Sequence, residues 1–149
     1  MNTTTIQVRL LTAVTIIAFC GVPAFAAEPV VQRLTHDGLL KQRPVWSPDG
    51  KWLCFARHQG ATIFLYLRSA DGKTEKRLTQ RTDPEYDAHF SPDGKRLAFA
   101  FDKTSPNQGD LEVYTVGIDG EDLQPVAVSN GLSHEQYPSW SPDGQLIAF

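Results

Sequence analysis

The side chains able to do chemistry in this sequence are four histidines, one cysteine in the body of the chain, and aspartates that recur in a fixed tetrapeptide. His36, His58, His89 and His134 fall at unrelated places and show no ligand spacing such as His-x-x-x-His on a helix, so they do not predict a metal centre. The aspartates stand in three copies of Ser-Pro-Asp-Gly: Ser47, Pro48, Asp49 and Gly50; Ser91, Pro92, Asp93 and Gly94; Ser141, Pro142, Asp143 and Gly144. A carboxylate cluster could hold a cation, but one acid per copy in an identical setting fits backbone hydrogen bonding within a turn. Gly131-Leu132-Ser133-His134-Glu135 carries part of a nucleophile-elbow pattern without its closing Gly or its strand-to-helix context. Cys54, between Leu53 and Phe55, reads as a small buried hydrophobe with no redox or zinc partner. The expectation is no catalytic, cofactor or metal site.

The composition is that of a globular domain, with 41% hydrophobic and 21% charged residues in 149. Arg9, the apolar stretch Leu10 to Val22 and Ala24-Phe25-Ala26 read together as a secretory signal over residues 1–26, with the mature chain starting at Ala27. The stretch is shorter than the ~20 residues that span a bilayer, so no integral span is expected after cleavage. A lipid anchor on Cys20 is disfavoured by bulky Phe19 before it. The net charge is −3, one unit more negative once Arg9 leaves, which argues against nucleic acid and against a polybasic membrane contact.

The elements that position these residues follow from repetition. Each Ser-Pro-Asp-Gly opens twelve residues after a hydroxyl residue that closes an apolar pair: Leu34-Thr35, Leu78-Thr79, Val128-Ser129. Between copies the grammar is a first strand ending at Val45-Trp46, the Pro-Asp-Gly turn, a second strand Lys51 to Arg57, a third Ile63 to Ser69, an Asp71-Gly72 turn and a fourth Glu75 to Thr79. Trp52 to Ala56 and Arg96 to Ala100 are nearly all apolar, as in strands covered on both faces. Trp46, Phe90 and Trp140 occupy matching positions and are expected in the packing between units. The period grows from 44 to 50 residues; four of the extra residues fall in a longer hairpin from Lys103 to Gly109 and two after Gly120. Four strands in 40 to 50 residues predict β-propeller blades over 36–79 and 80–129, with 130–149 incomplete.

The segments Trp46 to Lys51, Phe90 to Phe99 and Trp140 to Phe149 resemble the TolB-like propeller family, whose repeats are WD40-like, and the resemblance runs through residues 27–149. It implies an all-β propeller of four-stranded antiparallel blades acting as a non-catalytic docking scaffold in the periplasm or cell envelope. The same repeats occur in the substrate-gating propellers of prolyl-oligopeptidase-type peptidases, so a catalytic domain beyond residue 149 is the alternative. A third reading, a carbohydrate-processing propeller, needs His and carboxylate groups converging on the channel. Val30 to Thr35 matches a fourth strand with no first strand before it, and Gln145 to Phe149 is a second strand with none after it. The expectation is an N-terminal fragment: an orphan outer strand, two full blades and half of a third. Such a fragment is expected to aggregate through its uncovered strand edges.

The loops between blades share length without sharing residues, as recognition surfaces do. Asp83, Glu85, Asp87 and Glu135 with Tyr86 and Tyr137, together with the Lys103 to Gly109 hairpin, form the expected protein-binding rim.

Overall fold

A computed structural model describes residues 31–102, 111–126 and 134–149. The signal segment, the hairpin from Lys103 to Gly109 and Gly131 to Ser133 lie outside these residues. Residues Arg33–Phe149 form one compact unit, built from three antiparallel sheets. β1 (Lys41–Trp46), β2 (Trp52–Gln59), β3 (Thr62–Ser69) and β4 (Glu75–Arg77) make the first, in that order. β5 (Glu85–Phe90), β6 (Arg96–Asp102), β7 (Leu111–Gly117) and β8 (Gln124–Pro125) make the second. β9 (Ser139–Trp140) pairs with β10 (Ile147–Ala148). These are meandering blades of a propeller.

The Ser-Pro-Asp-Gly turn is one hydrogen-bonded unit repeated. The Ser47 hydroxyl donates to Asp49 Oδ1 (2.6 Å) and accepts from Trp52 N–H (2.9 Å), while Asp49 Oδ1 accepts from Lys51 N–H (3.1 Å). Gly50 then closes on Ser47 O (2.9 Å) at φ 69°, where a Cβ would be strained. The same set recurs at Ser91 and Ser141, and also at Ser69-Ala70-Asp71-Gly72, which has no Pro. Within each blade the two turns are tied together: Ala70 N–H donates to Lys51 O (2.8 Å), and Ile118 N–H to Lys95 O (2.9 Å). Both turns therefore lie on one face of the blade. Between blades the turns stack, since a Cβ on Gly94 would sit 3.6 Å from Pro48 Cδ and one on Gly144 3.6 Å from Pro92 Cδ.

Alternation decides what each blade buries. Cys54, Ala56, Leu65 and Leu67 on one face of the first blade pack with Phe90, Leu97, Phe99, Phe101 and Val116 of the second. The opposite face of the first blade holds Leu53, Phe55 and Tyr66, with Leu34 against them. At the repeat position of Phe101, that face carries Arg57, whose guanidinium lies 3.4 Å from the Tyr66 ring centroid and bonds Glu75 at 2.6 Å.

Three details differ from the sequence reading. Residues 31–40 carry no strand; a fourth strand needs a free third-strand edge, and β3 and β7 are each paired on both sides. β4 stops at Arg77 instead of reaching Thr79, although Leu78 N–H still bonds Leu65 O (2.8 Å). Trp46 is 52% exposed whereas Phe90 is buried: Phe90 is flanked by β1 and by β9, and no described element covers the outer side of Trp46.

Replacing Ser91 by Ala orphans the Arg96 N–H and should lower unfolding free energy by ~1–2 kcal/mol, and Gly94→Ala by ~1 kcal/mol; denaturant melts check both. The Ser47, Ser69, Ser91 and Ser141 hydroxyls, then backbone N–H groups, hold Asp49, Asp71, Asp93 and Asp143 below the ordinary carboxylate value of 3.8. Their contribution is present above that value and is lost as pH falls through the lowered ones. The fourfold Asp→Asn variant should therefore show a flatter acid limb below about pH 4 in a melting-temperature profile.

Candidate recognition site at the inner strands

The first strands of both four-stranded blades are bulged at one place. Register slips between Gln42 and Val45 in β1 and between Tyr86 and His89 in β5, and the extra residue takes a left-handed conformation: Arg43 at φ 53° and Asp87 at φ 55°. Tyr137, before β9, has φ 54°. Each of the three stands four residues before a turn serine, so they are one position of the repeat. Bulges re-aim side chains, and non-glycine left-handed residues cluster where a function holds them.

Here the three side chains meet. Arg43 Nη1 donates to Asp87 Oδ1, Arg43 Nη2 lies 3.5 Å from the Tyr137 hydroxyl, and the guanidinium carbon is 5.2 Å from the Tyr137 ring centroid. The Asp87 side chain is buried, with 4% exposed against 42% for that of Arg43, and Tyr137 as a residue is exposed. Burial pushes the Asp87 carboxyl up by more than the Arg43 guanidinium pulls it down. They border a cleft of about 320 Å³ that also includes Val45, His89 and Pro138. His89 Nδ1 accepts from Trp140 N–H (3.3 Å), which joins β5 to β9 behind the cleft. The arrangement offers spare guanidinium donors, a phenol and an aromatic face. Among the described residues, no three of His, Cys, Asp and Glu are placed to hold a metal ion.

The rim residues expected from sequence are dispersed by this geometry. Asp87 and Tyr137 come together. Asp83 is half-buried and bonds Arg81 (2.9 Å), and Tyr86 is half-buried. Glu135 is half-buried, with its N–H on Leu111 O (3.0 Å). Glu85 is not a surface residue at all: it is fully buried between the blades, because it opens β5 with its side chain on the covered face. Arg43 was not among the expected residues. Its signal was the register, since aligning the turn serines places Arg43, Asp87 and Tyr137 in one column.

Asp87→Asn keeps a side chain tolerant of the left-handed conformation and should be nearly neutral. Asp87→Val puts a β-branched residue at φ 55° and leaves Arg43 unpaired, so it should lower stability by ~2 kcal/mol. Thermal melts of the two variants check this.

Comparison with known proteins agrees with the architecture. The family model described as the TolB beta propeller domain matches residues 27–149. An uncharacterised protein of Agrobacterium fabrum (strain C58) is 28% identical over 127 residues, covering 80% of this chain and 43% of that protein. The Tol-Pal system protein TolB of Francisella tularensis subsp. mediasiatica is 32% identical over 101 residues, covering 67% of this chain and 22% of that protein. Among solved structures, TolB of Acinetobacter baumannii superimposes with a TM-score of 0.62 at 25% identity, over 78% of this chain and 28% of the other. The chain thus spans less than half the length of the relatives it matches. With blades, turns and repeat register in agreement, this chain belongs to the TolB β-propeller domain family.

Proposed function

We propose that the chain is an exported, non-catalytic propeller scaffold of the periplasm or cell envelope, and that its inner-strand mouth docks a protein partner. The observation that carries this reading is the meeting of Arg43, Asp87 and Tyr137 from three left-handed positions of one repeat column. Left-handed non-glycine residues recurring at one repeat position fit side chains held in a particular direction. Arginine and tyrosine are among the residue types enriched in protein-binding hot spots.

Further support comes from the sequence features around the site. A net charge of −3 disfavours nucleic acid. Among the described residues no helix is long and apolar enough to cross a membrane. The segment before Ala27 has the layout of a secretory signal, and the Francisella relative is named as a protein of the Tol-Pal system.

The test is photo-crosslinking in a Gram-negative host expressing the full-length protein, with the photoreactive residue at Tyr137 or, as control, at Lys73 on the turn face. Position 137 should yield discrete adducts with an envelope protein that vanish in Arg43→Ala, while the melting temperature moves by no more than a few degrees, as for a partly exposed ion pair. Equal adducts from Lys73, or retention of the protein in the cytoplasm, would sink the reading.

A further inference from the structure

Glu85 is the most completely buried charged side chain among the described residues, at 0% exposure, and the docking site makes no use of it. It sits where the chain crosses from the first blade to the second. β4 ends at Arg77, so the N–H of Leu65, on the edge of β3 facing β4, has lost its ladder partner. Glu85 Oε2 accepts that N–H at 3.0 Å, and Glu85 Oε1 accepts the hydroxyl of Thr79, the residue that leaves the first blade. One carboxylate from the second blade thereby finishes the sheet of the first and holds the crossover against it.

We propose that Glu85 is a proton-sensitive latch between the blades: its carboxyl group substitutes for a missing strand, and its ionisation loosens the closure. The groups around it are few. At the end of β4, Arg77 is stacked 3.4 Å from the Phe64 ring centroid, and on the crossover Arg81 lies 4.5 Å from that of Phe101. Their guanidinium groups bond the Arg81 carbonyl and Asp83 respectively, and both leave a buried Nε without a partner. From β2 the neighbour is the Cys54 thiol, which burial, and then Glu85, push far up and keep neutral. From β7, Glu112 is on the same face beside Phe101 and accepts the Tyr114 hydroxyl at 3.1 Å. Neither arginine is committed to the carboxylate, so burial outweighs their pull and raises the Glu85 value above the ordinary 4.5.

The sign follows. A carboxyl with a raised folded value binds its proton more tightly folded than unfolded, so its contribution is complete below 4.5 and declines as pH rises through the raised value. The protonated acid keeps both contacts, since its carbonyl oxygen accepts Leu65 N–H while its hydroxyl donates to Thr79. The position recurs six residues before each turn serine as Lys41, Glu85 and Glu135. Only at the first is it a cation, and there it pairs with Asp37.

The test compares the full chain with Glu85→Gln and Glu85→Ala. Glu85→Gln retains an acceptor for Leu65 and cannot ionise, so the wild-type melting temperature should fall relative to it by about 3 °C or more between pH 4.5 and pH 8. The Leu65 amide should exchange with deuterium at least ~10-fold faster in Glu85→Ala, with the Phe99 amide in β6 little changed. Parallel pH profiles for wild type and Glu85→Gln would overturn the proton-sensitive latch, and they decide the matter even if Glu85→Ala does not fold. An unchanged Leu65 exchange rate in a folded Glu85→Ala would overturn the role at the sheet edge. Neither readout depends on a docking partner.

Discussion

Everything in this chain depends on one blade lying flat against the next. A four-stranded sheet with apolar side chains on both faces has no stable existence in water, because half of its covered surface must come from another sheet. The fit here is one of large against small: Cys54 and Ala56 leave room on the first blade, and Phe99 and Phe101 fill it from the second. Aromatic side chains of this size each contribute ~2–3 kcal/mol when fully buried, so the interblade layer outweighs any hydrogen bond or ion pair in the unit. The face of the first blade turned away from this layer solves the same problem differently. It stacks Arg57 on Tyr66 and Arg77 on Phe64, with flat cations supplying cover in place of another sheet.

The two ends of the inner strands are built to opposite specifications. At the turn end every blade uses the same serine, aspartate and glycine hydrogen bonds, and successive turns touch through proline and glycine. That uniformity makes a plate. At the other end a left-handed residue in or just before each first strand, bulged in β1 and β5, delivers one side chain per blade, and these are an arginine, an aspartate and a tyrosine. The backbone is constant and the chemistry is not, as expected of a surface whose identity is set by what it must recognise. The bulge also explains how a strand pinned by its neighbours can aim a side chain outside the strict alternation of the pleat.

Much of the fold was legible because it is local. Gly50, Gly94 and Gly144 announce left-handed turns, and the apolar runs from Leu53 and Leu97 announce strands covered on both sides; the sheets then follow from short connections. Less of the candidate site was legible. Tyr137 and Asp87 were in view as loop residues, but an arginine four positions before a turn looks like any surface arginine until it is seen against them. Glu85 misled for the opposite reason: a glutamate among acids reads as rim, and only the end of β4 shows why a carboxylate is wanted inside.

The sequence by itself determined the repeat, the turns and the alternation, since each is encoded in neighbouring residues by backbone geometry and hydrophobic period. Tertiary structure alone decided which side chains from different repeats touch, which acid is drawn into the interior, and which tryptophan stays uncovered. Those outcomes depend on contacts across and between blades, from Leu65 to Glu85 and from Arg43 to Asp87 and Tyr137, and nothing local in the sequence sets those distances until the blades have packed.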